Sequence, residues 1–170
     1  NFWRHDYKER DFGNFVRRSY NPGIKKLIDF WVGNMEKGKV LRIYPFVDIM
    51  EDLLLGRKAI LRCGSGYTNF TILTNGKIVP CPIMVGMKKF YLGGIWESDP
   101  MKLRMRYEWK EPCKSCRIFD ICGGRCLYSN FLQPWGVEGM KEVCKTVFFL
   151  VNMLKSRVKE IRRMIGDGNI

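Results

Sequence analysis

The chain has no apolar run long enough to cross a membrane. Its longest, Val147 to Met153, is already broken at Asn152, and a helical span needs about 18 apolar residues or more. No cationic segment followed by an apolar stretch opens the chain, so no signal peptide is seen and a reducing, cytoplasmic setting is expected. Histidine is nearly absent: His5 is the only one, and its polar neighbours mark it as a surface residue, not a general base or ligand. The acidic and hydroxyl residues fall into no spacing that suggests a catalytic dyad or triad, so no catalytic side chain is named. Internal repeats and low-complexity tracts are missing as well. Acidic residues are few, 17 against 30 lysines and arginines in 170 residues, for a net charge of +13. The basic excess is spread as +5 over residues 1–62, +5 over 63–126 and +3 over 127–170. Nucleic-acid binders more often gather charge into a stripe or tail that follows phosphates. An even spread describes a solvated basic surface suited to an acidic partner or peptide, and nucleic acid is not favoured as a partner.

At 46% hydrophobic and 14% aromatic the chain is apolar enough to fold around a core of one domain or two small ones. Asn21-Pro22-Gly23 reads as a helix start, with Asn as cap and Pro at the first helical position. Ile24, Leu27, Ile28, Trp31 and Met35 then recur at helical spacing until Gly38. Val40 to Tyr44 reads as a short strand. Pro45 opens a second helix that buries Phe46, Ile49, Met50, Leu53 and Leu54 and stops at Gly56. Helix, strand, helix is the order from which an α/β layer is built, although one strand cannot close a sheet. Residues 1–62 therefore read as the edge of a larger α/β domain.

Beyond Cys63 the texture changes. Tyr67 to Leu73 and Ile78-Val79 are strand-like, and Asn75-Gly76 between them signals a tight hairpin whose central residues both take positive φ. Phe90 to Trp96 is a further short stretch, interrupted by Gly93-Gly94. Ser98-Asp99-Pro100 reads as the cap of a helix through about Trp109, ended by Pro112. A last apolar stripe of Val143, Val147, Leu150, Val151, Leu154, Val158 and Ile161 describes one long amphipathic helix ending near Gly166.

Chemistry is written in the seven cysteines, an odd number that cannot pair off fully as disulfides. Cys113, Cys116, Cys122 and Cys126 form Cys-x2-Cys-x5-Cys-x3-Cys. Two thiolates two residues apart reach one metal centre from a tight turn, and Gly123-Gly124 lets backbone pass close by and aim N–H groups at sulfurs. Zinc sites with paired Cys-x2-Cys units prefer a longer separation. Iron–sulfur clusters accept this crowding, and in two-cluster ferredoxins the cysteine after an x3 gap serves the other cluster. On that precedent Cys126 separates from Cys113, Cys116 and Cys122. Zinc remains the alternative, in a basic interaction module contacting nucleic acid or an acidic protein. Trp109, Phe119, Tyr128 and Trp135 surround the loop, where shielding a cluster from water is their expected part.

Read whole, Cys63-x12-Gly76-x4-Cys81, then Cys113-x2-Cys116-x5-Cys122-x3-Cys126, then a 17-residue gap to Cys144, resembles the seven-cysteine signature of the SPASM domain. That domain is the auxiliary cluster-bearing extension of many radical S-adenosylmethionine (radical SAM) enzymes that modify peptides and proteins, and the chain looks most like archaeal peptide-modifying members. The resemblance covers residues 63–144. It implies two 4Fe-4S clusters. Cys63, Cys81 and Cys126 would hold the first, and Cys113, Cys116, Cys122 and Cys144 the second. Cys144 is expected near the start of the long helix, where N–H groups favour negative charge. Residues 1–62 contain no cysteine, so the first cluster keeps one position open to a non-cysteine ligand, water or a substrate group. The radical-generating Cys-x3-Cys-x2-Cys motif is also missing. The expectation is thus an α+β C-terminal fragment, inactive alone, of a parent oxidoreductase whose N-terminal radical SAM domain holds S-adenosylmethionine and a third 4Fe-4S cluster. Residues 1–62 would be the remnant of its barrel, 63–144 the SPASM-like domain and 145–170 a C-terminal amphipathic helix. Electron transfer and engagement of a peptide or protein substrate would be its tasks.

Overall fold

The computed structural model describes residues 9, 11–104 and 107–170, so His5 lies outside the described residues. Helices dominate. α1 (Phe12–Phe15) runs through a five-residue π-turn, Val16–Tyr20, directly into α2 (Asn21–Met35). The helical run therefore begins nine residues before the expected start, and Asn21 is not a cap. The reason lies in Pro22, which has no N–H and whose ring clashes with a carbonyl one turn back. The wider π-turn, with the Asn21 N–H bonded to the Val16 carbonyl, removes the conflict and lets the helix pass through the proline.

Val40–Tyr44 forms no strand among the described residues. Its polar groups are taken locally: the Leu41 carbonyl accepts the Trp31 indole N–H at 2.7 Å and the Ile43 N–H at 2.9 Å, and the Ile43 carbonyl accepts the Phe46 N–H at 2.7 Å. With these groups taken, the β-rich segment has fewer left for a ladder. α3 (Phe46–Leu55) follows and ends at Gly56, whose φ of 65° is the usual left-handed stop.

The only sheet among the described residues is a two-stranded antiparallel hairpin, β1 (Thr71–Ile72) with β2 (Ile78–Val79), in the register Thr71↔Val79 and Ile72↔Ile78. In its turn Gly76 alone has positive φ, 77°. The Gly76 N–H donates to the Leu73 carbonyl and the Leu73 N–H to that of Lys77. This is a three-residue loop closed by a glycine bulge, not the two-residue turn expected. Residues 92–95 lie against β2 through Ile78–Gly93, Leu92–Ile78 and Ile95–Gly76 bonds. The helix expected from Pro100 is absent from the described residues: Asp99 closes only a turn, its Oδ1 accepting the Met101 N–H at 2.9 Å. Residues 105 and 106 lie outside the described residues.

α4 (Phe119–Cys122) and α5 (Leu127–Leu132) carry the cysteine-rich loop. The long terminal helix is two helices, α6 (Gly136–Ser156) and α7 (Val158–Gly166), joined at Arg157, whose guanidinium pairs with Asp29 on α2 and with Glu160. Helices α2, α3, α6 and α7 enclose the main apolar cluster around Ile28, Trp31, Phe46, Leu154 and Ile161. Trp31 meets Phe46 edge to face at 5.6 Å, a pair worth about 0.5–1.5 kcal/mol beyond its buried area. A second cluster of Leu61, Met84, Phe90 and Leu127 underlies the cysteine-rich loops, and a third joins Phe12 and Val16 to Val143. Helices with a small antiparallel sheet agree with the expected α+β class.

Candidate iron–sulfur centre

A backbone ladder positions the site. Ala59 N–H donates to the Asp120 carbonyl at 2.7 Å and Leu61 N–H to the Gly123 carbonyl at 2.9 Å, so the strip leading to Cys63 runs beside the strip that carries Cys122. Arg62 clamps the two. It pairs with Asp52 of α3 at 3.0 Å, both side chains being largely buried, and also donates to the Ile121 carbonyl. Gly123 is demanded by this approach, since a Cβ there would stand 2.8 Å from the Leu61 nitrogen.

Cys113, Cys116, Cys122, Cys126 and Cys144 line one cavity of about 430 Å³. Its walls are otherwise mainly apolar, with Phe119, Met140, Val147 and Phe148 among them, and Arg117, Arg125, Lys141 and Lys145 at its edge. Among the described residues no three cysteine, histidine or carboxylate groups meet at a single-ion site; the thiols ring a space. Burial pushes the Cys113 thiol up to about 12, helped by Cys144 and Cys122 and opposed by a hydrogen bond from Asn130. Burial and Cys122 push Cys144 up to about 11, against the pull of Arg125. Cys122 is raised by burial too, and the N–H groups of Gly124 and Arg125 that bond to it oppose the shift, as does the Arg125 charge. Cys113, Cys116, Cys122 and Cys144 are thus close enough to act on one another electrostatically. Such a set, deprotonated, supplies four soft ligands with N–H donors and a cation to balance their charge, which fits a polynuclear iron–sulfur group.

Cys63 and Cys81 do not line this cavity. Cys63 is exposed beside Tyr44, whose phenol is raised by burial and by the neighbouring Cys63 and Asp48. Cys81 packs on the second cluster, to which Leu127, the neighbour of Cys126, belongs. Cys144 is the ninth residue of α6, beyond the first turn to which the field of a helix end is confined. The expected help from helix N–H groups is therefore not available, and Arg125 is the positive charge at that sulfur. Of the four aromatic residues, Phe119 lines the cavity and Trp109 covers Gly124, meeting Phe119 at 5.3 Å. Tyr128 packs on the second cluster and Trp135 on the third. Sequence reasoning missed Asn130, Arg125 and the Phe148 wall. Only their distance from the cysteines along the chain, four residues or fewer, could have signalled them.

Residues 63–117 match the family model of SPASM, an iron-sulfur cluster-binding domain. The chain is similar over part of its length to sulfatase-maturating enzymes. A cysteine-type anaerobic sulfatase-maturating enzyme of Clostridium perfringens is 27% identical over 135 residues, covering 71% of this chain and 36% of that protein. An uncharacterised protein of Archaeoglobus fulgidus is 27% identical over 114 residues, covering 59% and 27%. Among solved structures, native anSMEcpe with bound AdoMet shares the fold with a TM-score of 0.61 at 23% identity, over 86% of this chain and 43% of that one. The same protein with AdoMet and the Kp18Cys peptide gives 0.60 at 22% identity, over 84% and 42%. The chain thus spans about a third of the length of the sulfatase-maturating relatives it matches. No helix among the described residues is long and apolar enough to cross a membrane.

Proposed function

We propose that this chain holds two auxiliary 4Fe-4S clusters for a radical SAM enzyme that modifies a peptide or protein, with Cys113, Cys116, Cys122 and Cys144 binding one and Cys63, Cys81 and Cys126 the other. The observation that carries the reading is the convergence of the first four thiols, mutually coupled, on a single mostly apolar cavity. In the three-cysteine set one iron is left to a non-cysteine ligand, water or a substrate group. Clusters of this kind supply one-electron transfer. The chain's own part is to exclude water with Phe119, Phe148 and Met140, to offset thiolate charge with Arg125, and to present N–H donors from Gly124 and Arg125. The peptide in the solved relative belongs to that protein; by homology a peptide or protein substrate is proposed here, acting together with an N-terminal radical SAM domain that binds S-adenosylmethionine and a third cluster. The proposed organisation places the barrel remnant in 1–62, the cluster domain in 63–144 and the terminal helix in 145–170.

Anaerobic reconstitution followed by iron and sulfide analysis tests the reading. About eight irons with matching sulfide are expected. Replacing Cys113, Cys116, Cys122 or Cys144 by Ser should remove one cluster and spare the other. About two zincs without sulfide would overturn the reading in favour of a zinc module.

A further inference from the structure

A second cleft, of about 790 Å³, opens where α1 and α2 meet α6. Asn14, Arg17, Asn21 and Lys25 recur every three or four residues through the π-turn, the spacing of one helical face, and all four line it together with Glu142, Lys145 and Phe149 of α6. Asn21 carries the observation that points to a ligand. Its side-chain Oδ1 is buried and accepts no hydrogen bond among the described residues, and a buried acceptor left without a donor is costly. Arg17 is exposed, and among the described residues its guanidinium meets no carboxylate, its Nη2 donating to Asn14 Oδ1 at 3.4 Å. The other two cations are held by carboxylates of their own helices, Lys25 by Asp29 at 2.7 Å and Lys145 by Glu142 at 2.5 Å. Both pairs are partly exposed and therefore weak enough for a ligand's carboxylate to displace. Lys145 also lines the thiol cavity, where Arg117, Arg125 and Lys141 stand at the edge and no carboxylate is found among the described residues. Cleft and cavity are thus neighbours across α6, and the surface that joins them is basic.

We infer that this cleft is a docking site for an acidic peptide segment, one of whose carboxylates takes the Arg17 guanidinium while one of its backbone N–H groups donates to Asn21 Oδ1. The inference rests on the reading above, that the chain serves an enzyme acting on a peptide or protein, and names the chemistry of the segment held. An extended peptide offers both groups that the cleft lacks. It has an N–H donor, which a carboxylate alone does not, and negative charge for a planar guanidinium that binds carboxylate through two parallel bonds. Lys25 and Lys145 take further carboxylates along the segment, and Phe149 gives it an apolar wall. A nucleic acid fits less well. Asp11 and Glu142 on the lining repel a phosphate backbone charged at every nucleotide, whereas a peptide can place its acidic side chains away from them. Because Lys145 borders both spaces, a segment seated here is held beside the thiol cavity.

The test is binding of a fluorescent decapeptide of alternating glutamate and glycine to the reconstituted full chain, read by anisotropy at low salt, with iron and sulfide counted in the same samples. The wild type should bind it, and about tenfold more weakly when glutamine replaces glutamate or when salt is raised to screen the charges. Arg17→Glu should weaken binding about tenfold or more. Asn21→Leu, which removes the acceptor and no charge, should weaken it about fivefold. Lys159→Glu, the same charge change at an exposed position of α7 outside the cleft, should stay within about twofold. If Asn21→Leu does not fold, Arg17→Glu against Lys159→Glu decides. Absence of binding overturns the inference, and so do equal losses in Arg17→Glu and Lys159→Glu, an unchanged affinity in folded Asn21→Leu, or tighter binding of a single-stranded oligothymidylate of the same charge. A chain that loads its clusters and ignores the peptide overturns the cleft alone. One that binds the peptide in the expected pattern and takes up no iron supports the cleft and overturns the cluster reading.

Discussion

Gly124→Ala is the most direct test of how the loop is built. Gly124 has φ of 82°, and a Cβ there would stand 2.3 Å from two ring atoms of Trp109 and 2.9 Å from a third. The ring cannot easily swing aside, because it meets Tyr107 at 5.2 Å and Phe119 at 5.3 Å, both edge to face. A left-handed backbone costs an L-residue about 1–2 kcal/mol, and overpacking a filled site costs about 1–3 kcal/mol more. Together they predict a loss of about 2–5 kcal/mol. The damage should also reach the cavity wall, since Gly124 and Phe119 both line it. Urea denaturation of the metal-free chain measures the first effect, and iron uptake on reconstitution measures the second. A loss below about 0.5 kcal/mol, within the range of an ordinary surface substitution, would show that the Trp109–Gly124 contact is not as described.

The opposite sign is expected at Gly33, inside α2, where an added Cβ meets nothing within 4 Å: Gly33→Ala should raise stability by about 0.5–1 kcal/mol in the same urea assay. Asp52→Ala leaves the Arg62 guanidinium buried with its Nε already lacking a bond, and should cost about 3–5 kcal/mol and loosen the strip leading to Cys63; an unchanged denaturation midpoint would refute the clamp. The raised Cys113 and Cys144 thiols give a pH dependence to the metal-free fold. Folded thiols that hold their protons longer than unfolded ones contribute stability that is fully present below the unfolded value of about 8.5 and lost as pH rises toward 11–12. Denaturation midpoints taken from pH 7 to 10 should fall, and cluster assembly at pH 7 should release protons.

What was legible in the sequence was whatever depends on short spacing. The helix over Phe46–Leu55 with its glycine stop and the hairpin could both be read there. So could the amphipathic terminal stripe, although it breaks at Arg157. What could not be read depends on who occupies a polar group. Val40–Tyr44 has β-rich composition, but the Trp31 indole N–H takes the Leu41 carbonyl. Asn21-Pro22 has the form of a helix start, but a π-turn carries the helix through it. Gly123 and Gly124 read as room for a cluster to approach backbone. Their N-terminal and side-chain neighbours show a second cause, because protein occupies the space each leaves: the Leu61 backbone at one and the Trp109 ring at the other. Asn130 was invisible because nothing local distinguishes a buried, hydrogen-bonded asparagine from an exposed one.

Among the described residues the interior is divided among three apolar clusters, and the largest, enclosed by α2, α3, α6 and α7, contains no cysteine. Oxidation of the thiols in air is therefore expected to strike one end of the molecule and to leave the packing of this cluster in place. α6 joins the two ends, since Leu150 and Leu154 sit in the helical cluster while Cys144, two turns earlier, faces the cavity. On the proposed reading, a chain stripped of iron would keep a scaffold that still presents that wall, and reloading its metal would be a matter of local repair.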